Sequence, residues 1–273
     1  SQHLQHLFQR CETEKSLNII RHLHLRLCEN GLDTHILIRN YLVSLLVCVG
    51  KLHYALQLFD TLILRMESIW DSIIIGCINL GNLPFALTFY KRMQEDCVYP
   101  SVHTYMALLK ACARVHDVEM GSRIHLDMEK QSMIHKDPFI CSTLVDMYAK
   151  CGLLDKAREI LTKLPVRDVV AWTALIGGYV KHGRGKEALD CFDQMRCENV
   201  LPNTVTYICI FKACSIVGAI DEGVEIHAEA SEKKLEGDIR LASTLIDMYA
   251  KSGWFSKAWE VLDKLHVPDV VPW

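Results

Sequence analysis

The chain repeats itself about every hundred residues, and that period constrains its fold more tightly than any single residue does. Ser142 to Lys150 reads STLVDMYAK and Ser243 to Lys251 reads STLIDMYAK, an offset of 101. Trp70, Trp172 and Trp273 stand at steps of 102 and 101, and Gly50, Gly152 and Gly253 keep the same beat. A fixed period marks a stacked-repeat architecture, in which each unit hides its apolar face only against its neighbours. Function is then expected in a recurring set of positions along a shared surface, and an isolated catalytic pocket is not.

The hundred-residue block divides further. Units 138–168, 169–203 and 204–238 have 31, 35 and 35 residues. Unit 239–269 returns to 31, and 270–273 opens another with VVPW, echoing VVAW at Val169 to Trp172. Upstream, 36–66, 67–101 and 102–137 follow the same order with one extra residue in the last, and 1–35 reads as a degenerate unit of the third type. The expectation is one repeat array over 1–273 that stops inside a unit, as a fragment of something longer would.

Each unit reads as two helices. In 138–168, Leu144, Val145, Tyr148 and Cys151 recur at helical spacing before Gly152 breaks the run. Leu154, Ala157, Ile160, Leu161 and Leu164 then form one apolar face. Gly81, Gly152, Gly183, Gly218 and Gly253 stand where a first helix should end. Pro100, Pro165, Pro202 and Pro268 stand near unit ends, where a proline stops the second helix. No run alternates like a half-buried strand. An all-α array of paired antiparallel helices is expected.

Composition sets limits on function. Half the residues are hydrophobic and 23% are charged, the balance of a folded chain rather than a disordered one. The longest apolar stretch, around Tyr41 to Gly50, is too short to span a bilayer, so no membrane partner is expected. No cleavable leader is visible at Ser1. None of the twelve cysteines forms a C-x-x-C pair. Cys77, Cys112, Cys141 and Cys209 fall on apolar helical faces, the pattern of buried small hydrophobes in a reducing compartment. Thirteen histidines show no metal spacing shared between repeats, and there is no P-loop, G-x-G-x-x-G or G-x-S-x-G. No enzyme, cofactor, metal or small-molecule substrate is expected.

Several segments carry a family likeness. W-x-x-L-I-x-G-Y occurs at Trp172 to Tyr179, and E-A-L-x-x-F-x-x-M at Glu187 to Met195. LVDMYAKCG-x-L-x-x-A runs from Leu144 to Ala157, LLKACA from Leu108 to Ala113, and G-x-x-I-H from Gly121 to His125. These resemble the pentatricopeptide repeat family, specifically its plant-type subclass of alternating P-type, L-type and S-type repeats. Tetratricopeptide repeats, the obvious competitor, have a uniform unit that the alternating lengths do not fit.

The resemblance implies a right-handed superhelical solenoid of helix-turn-helix repeats that binds single-stranded RNA, one nucleotide per repeat, in a mitochondrion or chloroplast. It further implies that the fifth and last residues of a repeat read the base. Those pairs are Ser142 with Asp168, Thr173 with Asn203, and Ser243 with Asp269. An ionised Asp only accepts, which suits guanine's N–H groups, whereas Asn donates and accepts, which suits adenine. By the family's code and parallel orientation, 142–269 reads 5′-G-A-x-G-3′. The x belongs to Ile208 with Asp238, since isoleucine cannot hydrogen-bond a base. Weaker readers are expected upstream: Asn40 with Met66, Asp71 with Ser101, and Met106 with Asp137.

Supporting positions follow from the same likeness. The second residue of a repeat flanks the base, here Phe139, Val170, Val205 and Arg240, with Val271 beyond. The thirteenth residue forms a basic row of Arg114, Lys150, Lys181 and Lys251 that would neutralise phosphates. Plainer readings stay open. Hydroxyls and Asp at unit ends are ordinary helix caps, and a Lys near a helix C-terminus serves the dipole. Net charge is −3, against the usual nucleic-acid footprint. Acidic residues, however, concentrate in second helices (Asp155, Glu159, Glu187, Asp190, Asp221, Glu222, Glu225), leaving the other face able to be positive.

Plant proteins with such triplets often end in a deaminase-like domain with H-x-E and C-x-x-C zinc ligands. His227-Ala228-Glu229 matches H-x-E by chance inside a second helix. C-to-U RNA editing is therefore expected from another segment or a partner. The alternative is an interaction scaffold whose Met106 and Ile208 surfaces dock an accessory editing-factor protein.

Overall fold

Each repeat of the sequence folds as a hairpin of two helices. The computed structural model describes residues 16–31, 35–133, 138–164, 166–233, 235 and 237–264. Among them every regular element is an α-helix, fifteen in all. α1 (Leu17–Glu29) comes first, followed by α2 (Ile36–Cys48) with α3 (Leu52–Asp60), α4 (Glu67–Asn79) with α5 (Leu83–Glu95), and α6 (Val102–Val115) with α7 (Val118–Lys130). Then come α8 (Pro138–Lys150) with α9 (Leu154–Lys163), α10 (Val169–Lys181) with α11 (Gly185–Cys197), α12 (Thr204–Val217) with α13 (Ile220–Glu232), and α14 (Ile239–Lys251) with α15 (Phe255–Lys264). Asp137, Pro165, Pro268, Asp269, Val271 and Trp273 lie outside the described residues.

First helices run 13 or 14 residues throughout. Second helices α3 and α9 are 9 and 10 residues long, against 13 for α5, α7, α11 and α13, and α15 is described over 10 residues. The shorter period is thus absorbed in the second helix, and first helices keep a constant frame.

Local chemistry sets the boundaries. Asp117 Oδ1 accepts from Met120 N at 3.0 Å to start α7, and Asn82 caps α5 with Pro84 in its first turn. Gly152 (φ +85°) follows α8 and Gly218 (φ +77°) caps α12, left-handed positions where a Cβ is costly. After α6 the same place is held by His116 at φ +58°, a strain of about 1 kcal/mol.

The chain forms two compact units, Ser1–Ala111 and Cys112–Trp273. In the first, Phe59 sits edge-on to Trp70 at 4.7 Å and to Phe89 at 5.6 Å, with the Arg65 and Arg92 guanidiniums over these rings. In the second, Tyr148, Tyr179, Phe192, Tyr207, Phe211 and Tyr249 are fully buried. Two histidines tie second helices to the next pair: His125 Nδ1 lies 3.0 Å from Tyr148 Oη, and His227 Nδ1 lies 2.8 Å from Tyr249 Oη. Burial holds the His125 imidazole below its usual pKa. Cys77 and Cys112 are buried thiols, pushed by desolvation to about 11 and about 12, so they act as small hydrophobes.

First helices also pack on one another. α2 lies beside α4 in the first unit, and α8, α10, α12 and α14 lie side by side, in that order, in the second. Gly178 permits the approach of α10 to α8, for a Cβ there would stand 2.6 Å from Ala149 Cβ. The result is a row of first helices that brings equivalent side chains of successive repeats together.

Candidate nucleic-acid interface

The residue that ends one unit caps the first helix of the next. Asp168 Oδ1 accepts from Ala171 N at 2.8 Å to start α10. Asn203 forms a capping box with Thr206 at the start of α12, accepting from Thr206 N at 2.9 Å. Asp238 caps α14 through Arg240 N and Leu241 N. A helix N-cap stands beside the first turn of the preceding first helix, and so the fifth and last residues meet. Ser142 Oγ donates to Asp168 Oδ1 at 3.2 Å. Thr173 Oγ1 lies 2.7 Å from Thr206 Oγ1, which in turn donates to Asn203 Oδ1 at 3.1 Å. The hydrogen bonds of Asn203 use its side-chain oxygen and its backbone N–H, and its side-chain NH2 donates to none of the described residues.

One cleft of the second unit gathers most of this chemistry. Its volume is about 420 Å³, and Lys150, Val170, Thr173, Lys181, Asn203 and Val205 all line it. Val170 and Val205 are 53% and 46% exposed, as is Phe139 at 61%. Their apolar faces are therefore presented to the cleft or to solvent instead of filling the core. Aliphatic walls with a hydroxyl and an amide between them suit a flat heteroaromatic ring carrying donors and acceptors at its edge.

Other expected positions behave differently. Asn40 is buried, its Nδ2 donating to Ile36 O at 2.8 Å while its Oδ1 has no hydrogen-bond partner, and Met66 is exposed. Asp71 Oδ1 accepts from Ser101 N at 3.4 Å and from Thr104 Oγ1 at 2.5 Å. Met106 and Ile208 are half-buried. Ser243 Oγ turns back to Ile239 O at 2.7 Å. Arg240 is exposed, and its guanidinium also meets Asp238 at 3.0 Å, a hydrogen bond that holds the Asp238 carboxyl below the usual range.

Comparisons with known proteins agree with this repeat geometry. A sequence pattern described as PPR repeat family matches residues 167–215, and one described as pentatricopeptide repeat domain matches 69–115. A third, PPR repeat, matches 103–133, 139–169 and 242–267. An Arabidopsis thaliana pentatricopeptide repeat-containing protein named as mitochondrial is 37% identical over 197 residues, covering 72% of this chain and 22% of that protein. Another from the same plant, named as chloroplastic, is 31% identical over 267 residues, covering 98% of this chain and 32% of its own length. The crystal structure of pentatricopeptide repeat protein PPR10 in complex with an 18-nt psaJ RNA element matches 98% of this chain and 41% of its own, at 19% identity and a TM-score of 0.56. The chain belongs to the pentatricopeptide repeat family. It spans a fraction of the length of each of these relatives, and the structural likeness shows the shared all-α fold of helix-turn-helix repeats.

Within the PPR repeats, charge is arranged more tightly than the lone basic row implies. Lys150 Nζ lies 2.8 Å from Asp146 Oδ2 and Lys251 Nζ lies 2.7 Å from Asp247 Oδ2, each pair one helical turn apart. Acidic residues thus occur on first helices too, although α12 carries Lys212 alone while α13 carries Asp221, Glu222, Glu225, Glu229 and Glu232. Exposed pairs of this kind are weak and screened by salt. Lys181 Nζ reaches His116 Nε2 and Lys150 O, both at 3.4 Å, which brings it beside Lys150 in the cleft. Arg114 is exposed on the last turn of α6.

Two residue types escaped the sequence reading. Thr104 and Thr206 are both fully buried third residues of their helices, and each holds a cleft-lining partner, Asp71 and Asn203 respectively. Their signal was available as the Thr-Tyr pair recurring at an offset of 102. Asp146 and Asp247 sit inside the repeated nonapeptide, four residues before the lysines they bind. His227 and Glu229 of the H-x-E triplet are spoken for by Tyr249 and by Tyr207 with Lys233. Among the described residues no group of His, Cys, Asp or Glu could hold a metal ion.

Proposed function

We propose that this chain binds single-stranded RNA in a sequence-specific manner, reading one nucleotide per repeat, as the address tract of a plant-type organelle RNA-processing factor. The observation that carries the reading is the cleft between α10 and α12, where Thr173, Asn203, Val170 and Val205 stand with Lys150 and Lys181. That set supplies an edge to read, walls to stack on and charge for the phosphates. PPR10, which shares the fold, is described in complex with RNA, and the Arabidopsis relatives are named as mitochondrial or chloroplastic. The alternation of 35-residue and 31-residue units favours the P, L and S subclass and, with it, a part in C-to-U editing whose chemistry lies in another segment or partner.

Under this reading Ser142 with Asp168 selects guanine, Thr173 with Asn203 adenine, and Ser243 with Asp269 guanine, while Ile208 leaves its position open. Titration of short RNAs containing GANG, GGNG and AANG at one fixed salt concentration tests it. GANG should bind best, and Asn203→Asp should move the preference to GGNG. Equal binding of all three would sink the reading and favour a scaffold that docks an accessory protein.

A further inference from the structure

The fourth residue of a first helix points into the core along the chain. Trp70, Tyr105, Cys141, Trp172, Tyr207 and Ala242 hold that place, each no more than 3% exposed. In α2 it is held by Arg39. Arg39 is half-buried there, and a guanidinium partly withdrawn from water costs free energy unless something answers its charge. None of the described residues does so, for Arg39 Nη2 donates to Thr61 Oγ1 at 3.0 Å and to no carboxylate. Facing it from α1, Arg21 bonds the Tyr54 hydroxyl at 3.1 Å and lies over that ring, again with no acidic partner. Arg65, Arg92, Arg167, Arg184 and Arg240, by contrast, each hold a carboxylate.

Between α1, α2 and α3 the two arginines border a cavity of about 390 Å³. His24 stands with them, no Asp or Glu among the described residues lines it, and Ile20, Leu42 and Leu46 form an apolar floor. The volume is that of a small-molecule site. Guanidinium forks match phosphate oxygens in pairs, and each arginine has donors left over. A phosphomonoester carries a charge of about −1.5 to −2 at neutral pH and three acceptor oxygens, enough to engage both forks. We infer that this cavity binds a small organic phosphate, a phosphomonoester of nucleotide size whose head bridges Arg21 and Arg39 and whose body covers Ile20, Leu42 and Leu46. The inference does not rest on the base-reading cleft, which lies on other helices.

A free nucleotide and the phosphorylated end of an RNA strand offer the same chemistry, so the test has arms for both. Adenosine 5′-monophosphate, adenosine and inorganic phosphate are titrated into the chain at about 0.1 M salt. The monophosphate should bind at least tenfold more tightly than either control. Arg39→Met and Arg21→Met should each weaken it tenfold or more, and Arg39→Lys should weaken it less. The melting temperature of unliganded Arg39→Met should not fall, because methionine suits a half-buried position and brings no charge to desolvate. A short oligoribonucleotide with and without a 5′-phosphate forms the last arm. A preference for the phosphorylated strand that Arg39→Met removes supports a strand end, and no such preference supports a free nucleotide. Absence of monophosphate binding, adenosine binding equally well, or undiminished binding by both Met variants overturns the inference.

Discussion

Two clefts of this molecule occupy the same place in the repeat and differ in nearly every side chain that lines them. The first holds Ser68, Asp71, Ser101 and His103, and the second holds Val170, Thr173, Asn203 and Val205, each pair offset by 102. Gly76 and Gly178 occupy one further shared position. Where the second cleft has Lys150 and Lys181, the first has Cys48 and Asn79. The buried threonine is common to both, donating to Asp71 Oδ1 in the first and to Asn203 Oδ1 in the second, so that a carboxylate in one stands against an amide with its NH2 in the other. Helix geometry therefore fixes where the cleft lies, and a handful of side chains decides what chemistry it presents. The first cleft is larger, at about 620 Å³ against about 420 Å³, and Asp71 is its one charge, whereas the second sets Lys150 and Lys181 beside a single carboxylate, Asp146.

The sharpest contrast should come from the tryptophans beneath the clefts. Trp70→Ala and Trp172→Ala each empty a buried site, a loss of about 3–5 kcal/mol. Trp70 also packs against Phe59 and Phe89 and under two guanidiniums, so its loss should fall at the upper end. Denaturant unfolding of both variants checks this, and equal costs would show that the ring contacts contribute nothing. Next, Gly178→Ala should cost about 1–3 kcal/mol and exceed Gly76→Ala. A Cβ at Gly178 meets Ala149 Cβ at 2.6 Å and its Cα at 3.3 Å, whereas at Gly76 it meets the tip of the Val47 side chain, which can rotate away. Melting temperatures in the reverse order would contradict the packing described.

Smaller effects bear on recognition. Transplanting the second seat into the first, as Asp71→Thr with Ser101→Asn, should create a preference for adenine of roughly tenfold at that nucleotide, within the ~1–3 kcal/mol of a good base contact. A variant that gains none would mean the walls, not the readers, separate the clefts. Last, Lys150→Ala with Lys181→Ala should flatten the salt dependence of RNA binding by about 0.7 per lysine in the log–log slope, and Cys48→Lys with Asn79→Lys should steepen it equally. Unchanged slopes would remove these lysines from the phosphate path.

Much of the fold was legible because helices announce their ends. Gly152 and Gly218 occupy left-handed backbone, and the spacing of Leu154, Ala157 and Leu161 marks a face that the structure buries. The shortening of α3 and α9 was visible only as a period, since nothing local says which helix gives up a turn. The cleft was legible through the likeness for Thr173, Asn203, Val170 and Val205. Thr206 left only the recurring Thr-Tyr pair, which marks a position but names no partner, and its role appears only when Asn203 and Thr173 are brought to either side of it. Arg39 was equally silent, since a charged residue near the start of a helix reads as a surface one until the fold sets it beside Arg21 on one cavity.

Under the proposed function Asp168, Asn203 and Asp238 carry a double duty, and it reaches into how such a protein can change its mind. A residue that both starts a helix and faces a nucleotide answers to two selections at once, and only a few side chains satisfy the first. New addresses are then written most cheaply in an alphabet of helix starters, each letter exchanged for another without unfolding the page. Met66, which offers α4 no capping bond, is a letter outside that alphabet. A lineage drifting through such residues would lose legibility and helix order together, whereas one exchanging Asn for Asp could explore new targets along a nearly level path.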